Sequence, residues 1–335
     1  MQISWTQPTD DYAVVLNANA GRVTPQLVGE LRHLVPEGKL YLTQSQLHAR
    51  DVIRECVNKE TPVIFAGGGD GTIVDTINSL HEFRGGNNTM PAVGALKLGT
   101  GNALAHWLDA PKPAQALHNW KAGETHKLLS LRMVEAEDTL FPFAGLGIDA
   151  AILNDYYSLK QNTKSKWYEP MGKGLFGYLV AGHLTTLPNY IKRPKTEVRI
   201  INLGSTAYQI GADGQEIGKG IQSGQVIYEG PSSMVGCANT PYYGYQLKMF
   251  PYASQQSNRF QLRVINMNAG QMAYNIWPAW NGNVQHPNLH DFYADRVRVV
   301  FKDAMPYQLG GEAAGYRKEI TFSLAQQPIS MIGQA

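Results

Sequence analysis

The chain has 335 residues, 29 Lys and Arg against 27 Asp and Glu for a formal net charge of +2, and 43% apolar residues. That length exceeds one ordinary core and predicts two domains, and so small a charge with no long basic run excludes nucleic acid as the expected partner. Two distant cysteines, Cys56 and Cys237, no leader pattern and no apolar run of the ~18 residues that span a bilayer imply a reducing, cytoplasmic setting without a transmembrane segment.

Tyr12 to Leu16 reads as a strand running into the turn-rich Asn17-Ala18-Asn19-Ala20-Gly21. Thr24 is placed to cap a helix that opens on Pro25 and runs through Leu34. Leu40 to Leu42 follows as a strand, Ala49 to Val57 as a helix and Pro62 to Ala66 as a third strand. A glycine loop, Gly67-Gly68-Gly69-Asp70-Gly71-Thr72, then leads into a helix expected from about Thr72 to Leu80. Ala92 to Leu98 is the fourth strand, ending in Gly99-Thr100-Gly101-Asn102 before a helix from Ala103 to Leu108. Strands alternating with helices predict an α/β domain, a parallel sheet with helices on both faces, whose ligands collect at the strand C-termini. Both glycine loops fall there.

After about Ser130 the pattern changes to β runs at Lys195 to Asn202, Gln225 to Glu229, Gln261 to Ile265, Arg296 to Phe301 and Glu319 to Leu324. One helical stretch, Leu175 to Leu187, intervenes. An antiparallel β-sandwich or barrel-like domain is expected. The predicted division is an α/β nucleotide domain over 1–129, a β-rich substrate domain over 130–320, and a segment 321–335 returning to the first domain. The cleft between the domains is the default active site.

Glycine permits positive φ and lets a ligand approach main-chain N–H groups that a Cβ would shield. A helix starting just after the loop adds unpaired donors and the positive end of its dipole, so Gly67 to Thr72 predicts a phosphate site. Asp70 would repel phosphate unless a cation lies between them, which points to Mg²⁺ with a nucleoside triphosphate. The loop has neither the Gly-Lys-Ser/Thr of a Walker A motif nor a dinucleotide fingerprint.

Gly68-Gly69-Asp70-Gly71-Thr72 followed by Gly99-Thr100-Gly101-Asn102-Ala103-Leu104-Ala105 resembles the catalytic-domain family of diacylglycerol and sphingosine kinases. Asn17-Ala18-Asn19-Ala20-Gly21 is similar to that family's opening Asn-Pro-x-Ser-Gly. Phe143-Ala144-Gly145-Leu146-Gly147-Ile148-Asp149-Ala150 is similar to the motif opening its second domain, and Gly311-Glu312 to its late Asp-Gly-Glu. The resemblance implies an ATP- and Mg²⁺-dependent kinase acting on the hydroxyl of diacylglycerol, a sphingoid base or a related long-chain lipid. By the same resemblance, Gly67, Gly68, Gly69, Asp70, Gly71, Thr72, Gly99, Thr100, Gly101 and Asn102 bind the nucleotide phosphates, and Asn17 and Thr43 line the nucleotide cleft. Asp70 acts at the metal and phosphate, Glu312 is the proton acceptor, and Asp149 recognises the lipid head. An enzyme of this kind visits the membrane surface as a peripheral protein, and a homodimer is compatible with the sequence.

The residues also allow plainer readings. Asp149 could cap a helix over Ala150 to Tyr157, and Glu312 could be a surface residue in a turn. Tyr242, Tyr243, Tyr245, Trp277 and Trp280 could line a lipid cleft or pack in a core. Lys97 could reach a phosphate or face solvent. The short basic groups at Lys160, Lys164 and Lys166 and at Lys192, Arg193 and Lys195 read as solvated faces. His106, His183 and His286 lack metal-ligand spacing. Gly310 stands where the family has Asp, and Ser257-Asn258 where bacterial relatives place a metal-holding Asp-Gly, so a structural metal site is not expected. The alternatives are an NAD kinase-like phosphotransferase and an inactive lipid- or nucleotide-binding relative.

Overall fold

The computed structural model of the protein describes residues 3–84, 90–154, 195–244 and 246–334. The expected helix over 175–187, the basic groups from Lys160 to Arg193, His183 and Tyr245 lie outside the described residues. Two compact units divide the chain, Met1–Met133 with Gln326–Ala335, and Val134–Ala325.

The first unit contains β1 (Ile3–Thr6), β2 (Ala13–Asn17), α1 (Pro25–Leu34), β3 (Leu40–Thr43), α2 (Gln46–Asn58), β4 (Val63–Gly68) and α3 (Asp70–Phe83). It continues with β5 (Ala92–Lys97), α4 (Ala103–Trp107), α5 (Pro113–Lys121) and β6 (His126–Leu131). The sheet order is β1-β6-β19-β5-β4-β2-β3, where β19 (Ile329–Gly333) comes from the far end of the chain. β19, β5, β4, β2 and β3 are mutually parallel, whereas β1 and β6 are antiparallel additions. β2 and β4 are buried on both faces, hence their continuous apolar runs. Leu31, Phe65, Leu96 and Trp120 anchor the core between the sheet and α1 with α5.

Helix starts follow their caps. Thr24 accepts from the Leu27 N–H, as expected, and Ser45 accepts from the His48 N–H, so α2 begins at Gln46 rather than at Ala49. α3 begins at Asp70, one turn's edge earlier than Thr72, with Gly69 as its N-cap. Asp70 therefore stands in the first helical turn, where the dipole favours a carboxylate.

The second unit is antiparallel throughout. It comprises β7 (Val134–Ala136), β8 (Thr139–Phe141), β9 (Phe143–Gly147), a helix α6 described over residues 148–154, β10 (Thr196–Asn202), β11 (Ala207–Ile210) and β12 (Glu216–Ile221). Next come β13 (Val226–Ser232), β14 (Met234–Ala238), β15 (Phe260–Ile265), the short helices α7 (Ala269–Tyr274) and α8 (Ile276–Trp280), β16 (Leu289–Ala294), β17 (Arg296–Leu309) and β18 (Glu312–Leu324). They form one connected sheet in the order β12-β11-β16-β15-β14-β9-β17-β18-β7-β8, with β10 joining β17 to β13. Phe141, Phe260, Phe301, Tyr307 and Phe322 fill its main core. β17 and β18 are each far longer than the runs Arg296 to Phe301 and Glu319 to Leu324. Register shifts between Val300 and Met305 and between Pro306 and Gln308 break the alternation by which their second halves could be read.

Candidate functional site

In the first unit the predicted nucleotide residues converge at the C-terminal ends of β2, β3, β4 and β5. Asn17 ends β2, and its amide donates to the Thr72 hydroxyl at 3.1 Å while its Oδ1 accepts the Asn19 N–H at 3.0 Å. Thr43 ends β3, buried, and donates to the Leu16 carbonyl at 3.1 Å.

The glycines serve close approach rather than unusual dihedrals. None of Gly67, Gly68, Gly69, Gly71, Gly99 or Gly101 has positive φ, contrary to the expectation for these loops; the left-handed residue is Asn102, at φ 51°. A Cβ on Gly99 would fall onto the Gly69 Cα, and one on Gly68 onto the Thr72 side chain. The two loops are thus in backbone contact, which no side chain at Gly99 would allow. Asn102 locks the second loop by accepting the Gly99 N–H at 3.0 Å and donating to the Gly99 carbonyl at 2.7 Å.

Asp70 joins the loops through its carboxylate, a link between residues 34 positions apart. Its Oδ1 accepts the Leu104 N–H at 3.1 Å, and the Ala103 and Asn102 N–H groups also act on the carboxylate. Burial pushes its pKa up, and these backbone donors work in the opposite direction. One carboxylate oxygen is therefore committed to the start of α4, so contact with a cation would fall to Oδ2. Among the described residues no group of three His, Cys, Asp or Glu side chains is placed to hold a metal ion.

A cavity of about 320 Å³ opens beside the first loop. Asn17, Thr43 and Thr72 line it, whereas the glycines, Thr100 and Asn102 do not. Thr72, Asp75, Thr76 and Ser79 of α3 contribute one wall, and Gln46, Ala49, Arg50 and Ile53 of α2 another. Both sets recur at i, i+3, i+4, i+7, the spacing of a single helix face. Those on α3 are all polar, and Thr76 and Ser79 are buried, where a core helix would carry apolar side chains. That stripe was the missed signal. Gln46 and Asp75, both lining the cavity, are joined by a hydrogen bond from Gln46 to Asp75 Oδ2 at 3.0 Å, and Arg50 pairs with Glu82 at 2.6 Å.

In the second unit Asp149 is buried in the first turn of α6, so the helix starts before it and Gly147, not Asp149, precedes the first turn. Residues 155–157 of the expected helix lie outside the described residues. Burial raises the Asp149 pKa, opposed by the Tyr243 hydroxyl and by the Ala150 N–H. Tyr243 donates to Asp149 Oδ2, and the Gln308 amide donates to the Tyr243 oxygen and, at 3.4 Å, to Asp149 Oδ2. A Cβ on Gly145 would land on the Asp149 carboxylate and the Tyr243 hydroxyl, which explains that glycine of the β9 motif. Tyr243 itself packs between Phe143 and Phe250, with ring centroids 4.5 and 5.7 Å away.

Glu312 is exposed at the first position of β18, paired with Leu309 of β17. Gly310 and Gly311 form the two-residue turn between them, at φ 55° and 91°. A type I′ hairpin loop needs positive φ at both positions and accepts Asp, Asn or Gly at the first. Gly310 meets that backbone requirement in place of the family's Asp. Ser257 and Asn258 lie in the turn before β15. Trp277 is 72% exposed on α8, whereas Trp280 is only partly exposed.

Residues 11–133 match the sequence profile of the diacylglycerol kinase catalytic domain. No curated protein matches the sequence. Among solved structures the chain is similar to a diacylglycerol kinase from Bacillus anthracis str. Sterne, with 16% identity, TM-score 0.63 and 97% of each chain covered. Two further structures from the same organism, described as candidate diacylglycerol kinases, share 18% identity at TM-scores of 0.65 and 0.68, again over 97% of each chain. Those likenesses carry the two-unit fold, and the profile match carries the kinase domain. Over residues 11–133 the chain is thus similar to the diacylglycerol kinase catalytic domain, and along its length it shares the fold of these solved structures.

Proposed function

We propose that the protein transfers the γ-phosphoryl group of ATP to the hydroxyl of a long-chain lipid, of the diacylglycerol or sphingoid-base class. The contact of Gly99 with Gly69 beside a cavity walled by Asn17, Thr43 and Thr72 is the observation that carries this reading. Such a backbone surface offers N–H donors to phosphate oxygens, and the start of α3 adds its dipole. Phosphoryl transfer asks mainly for positioning and charge neutralisation, which backbone donors supply.

In the reaction a new bond forms between the lipid oxygen and the γ-phosphorus, the bond to the bridging β,γ-oxygen breaks, and ADP leaves. The hydroxyl proton passes to the Glu312 carboxylate. Mg²⁺, carried in on the triphosphate, would neutralise its charge, with Asp70 Oδ2 as the chain's candidate contact. Asp70 also fixes the second loop through the Leu104 N–H. Asp149 in the second unit is assigned to the polar head of the lipid.

Labelled ATP is incubated with a panel of diacylglycerol, sphingoid-base and other long-chain alcohol micelles, and the phosphorylated product is identified by mass. Transfer to one lipid class is expected, and Glu312→Gln should lower kcat at least ~100-fold with ATP binding intact. Absence of transfer to every lipid, or transfer to a soluble nucleotide instead, overturns the reading.

A further inference from the structure

Two residues that the resemblance leaves without a role, Tyr243 and Gln308, lie between the assigned lipid-head residue and the assigned proton acceptor. Gln308 is buried on β17, opposite Gly145 of β9. Its Oε1 accepts the Gly311 N–H at 2.9 Å, and its amide nitrogen reaches Tyr243 and Asp149. The neighbouring Gly310 N–H donates to the Phe143 carbonyl at 2.9 Å. The turn that delivers Glu312 therefore hangs from β9 by one backbone bond and from Asp149 by a side-chain chain.

A buried amide whose two ends are both used has one orientation only. Were Gln308 flipped, its NH₂ would face the Gly311 N–H and its oxygen would face the acceptor side of the chain. Tyr243 fixes the choice, because its hydroxyl donates to Asp149 and accepts from Gln308. Leu at position 308 would fill the space and supply neither bond.

We propose that Tyr243 and Gln308 are positioning residues that fasten the Gly310–Gly311 turn to Asp149, so that the site of the lipid head and the stance of Glu312 are set by one hydrogen-bonded unit. The hydrogen-bonded part is independent of the reaction, whereas its consequence for turnover rests on the reading of Glu312 as proton acceptor.

The test compares wild type, Tyr243→Phe, Gln308→Leu and Glu312→Gln in the full chain, by two measurements. Amide hydrogen exchange over residues 309–312 should become about tenfold faster in Tyr243→Phe and in Gln308→Leu, as local opening of the turn becomes easier. Unchanged exchange in both overturns the proposal. Tyr243→Phe keeps the ring between Phe143 and Phe250, so it carries the measurement if Gln308→Leu does not fold. With ATP and the lipid that the wild type phosphorylates, both variants should lose about tenfold to a hundredfold in kcat with the KM for ATP unchanged, because a displaced group costs turnover rather than nucleotide binding. Adding Gln308→Leu to Glu312→Gln should then cost nothing more, since the group being positioned is already gone. An equal loss in both backgrounds would show a purely structural role and overturn the proposal. Wild-type turnover by Glu312→Gln would instead remove the base assignment, and the exchange data would still decide whether the chain of bonds holds the turn.

Discussion

Around the glycine loops of the first unit, polar groups are held by main chain, with Gly99 on Gly69 and the N–H groups of Asn102, Ala103 and Leu104 on the Asp70 carboxylate. Within the second unit they are held by side chains in the interior, as in Asp149 with Tyr243 and Gln308 near β9 and β17, or Asp291 with Arg263 and Gln261 on β15 and β16. The first kind is broken by adding an atom, the second by removing one. A Cβ at Gly99 has no flexible neighbour to displace, whereas a lost side-chain partner strands a polar group in a medium that cannot solvate it.

The largest effect expected from this contrast is at Arg263, whose guanidinium bonds both Asp291 oxygens at 2.7 and 2.8 Å with 2% and 6% of the two side chains exposed. Arg263→Leu should cost about 3–5 kcal/mol in urea unfolding, because Asp291 is left as a buried uncompensated charge. The double variant with Asp291→Leu should recover a large part of that loss; if both lose equally, the cost is packing rather than charge. Gly99→Ala comes next, at about 1–3 kcal/mol of overpacking by the same measurement. ATP binding by calorimetry should weaken more than stability does, since the two loops must part. Unaltered binding would separate the loop contact from the nucleotide site.

The smallest effect is a pH dependence expected of both carboxylates, Asp70 in the first unit and Asp149 in the second. Burial raises the pKa of Asp149 and of Asp70 above the usual 3.8. A carboxyl with a raised folded pKa holds its proton more tightly in the native state, so its contribution is full below 3.8 and is lost as pH rises through the folded value. Urea midpoints taken from about pH 4 upward should therefore fall less steeply for Asp149→Asn than for wild type, and likewise for Asp70→Asn. A steeper fall in either variant would mean that its carboxylate is held ionised by its donors.

Much of the first unit was legible because its chemistry is local. A strand, a glycine run and a helix are adjacent in the chain, and Thr24 with Pro25 or Gly68 through Thr72 announces them within a few residues. β1, β6 and β19 were not read as strands for the opposite reason: their place in the sheet depends on partners over a hundred residues away. The cavity walls escaped notice because Asp75, Thr76 and Ser79 read as an ordinary polar face until α2 packs against them. In the second unit Asp149 stood out as a carboxylate in an apolar run, yet its link to Gln308 requires the β9–β17 register, which no local pattern encodes. Arg263 within Gln261-Leu262-Arg263-Val264-Ile265 was a comparable signal left unread, and its partner Asp291 lies directly opposite on β16.

The strand β19 lies between β5 and β6, parallel to one and antiparallel to the other. The first unit is thus sealed by residues synthesised after the whole of the second. On the ribosome, β5 and β6 emerge early as open edges able to pair with another chain, and they stay so until Ile329–Gly333 arrives. Assembly of the glycine loops on a finished sheet is in this way coupled to completion of the second unit, and a prematurely terminated product would carry its motifs on an unclosed sheet.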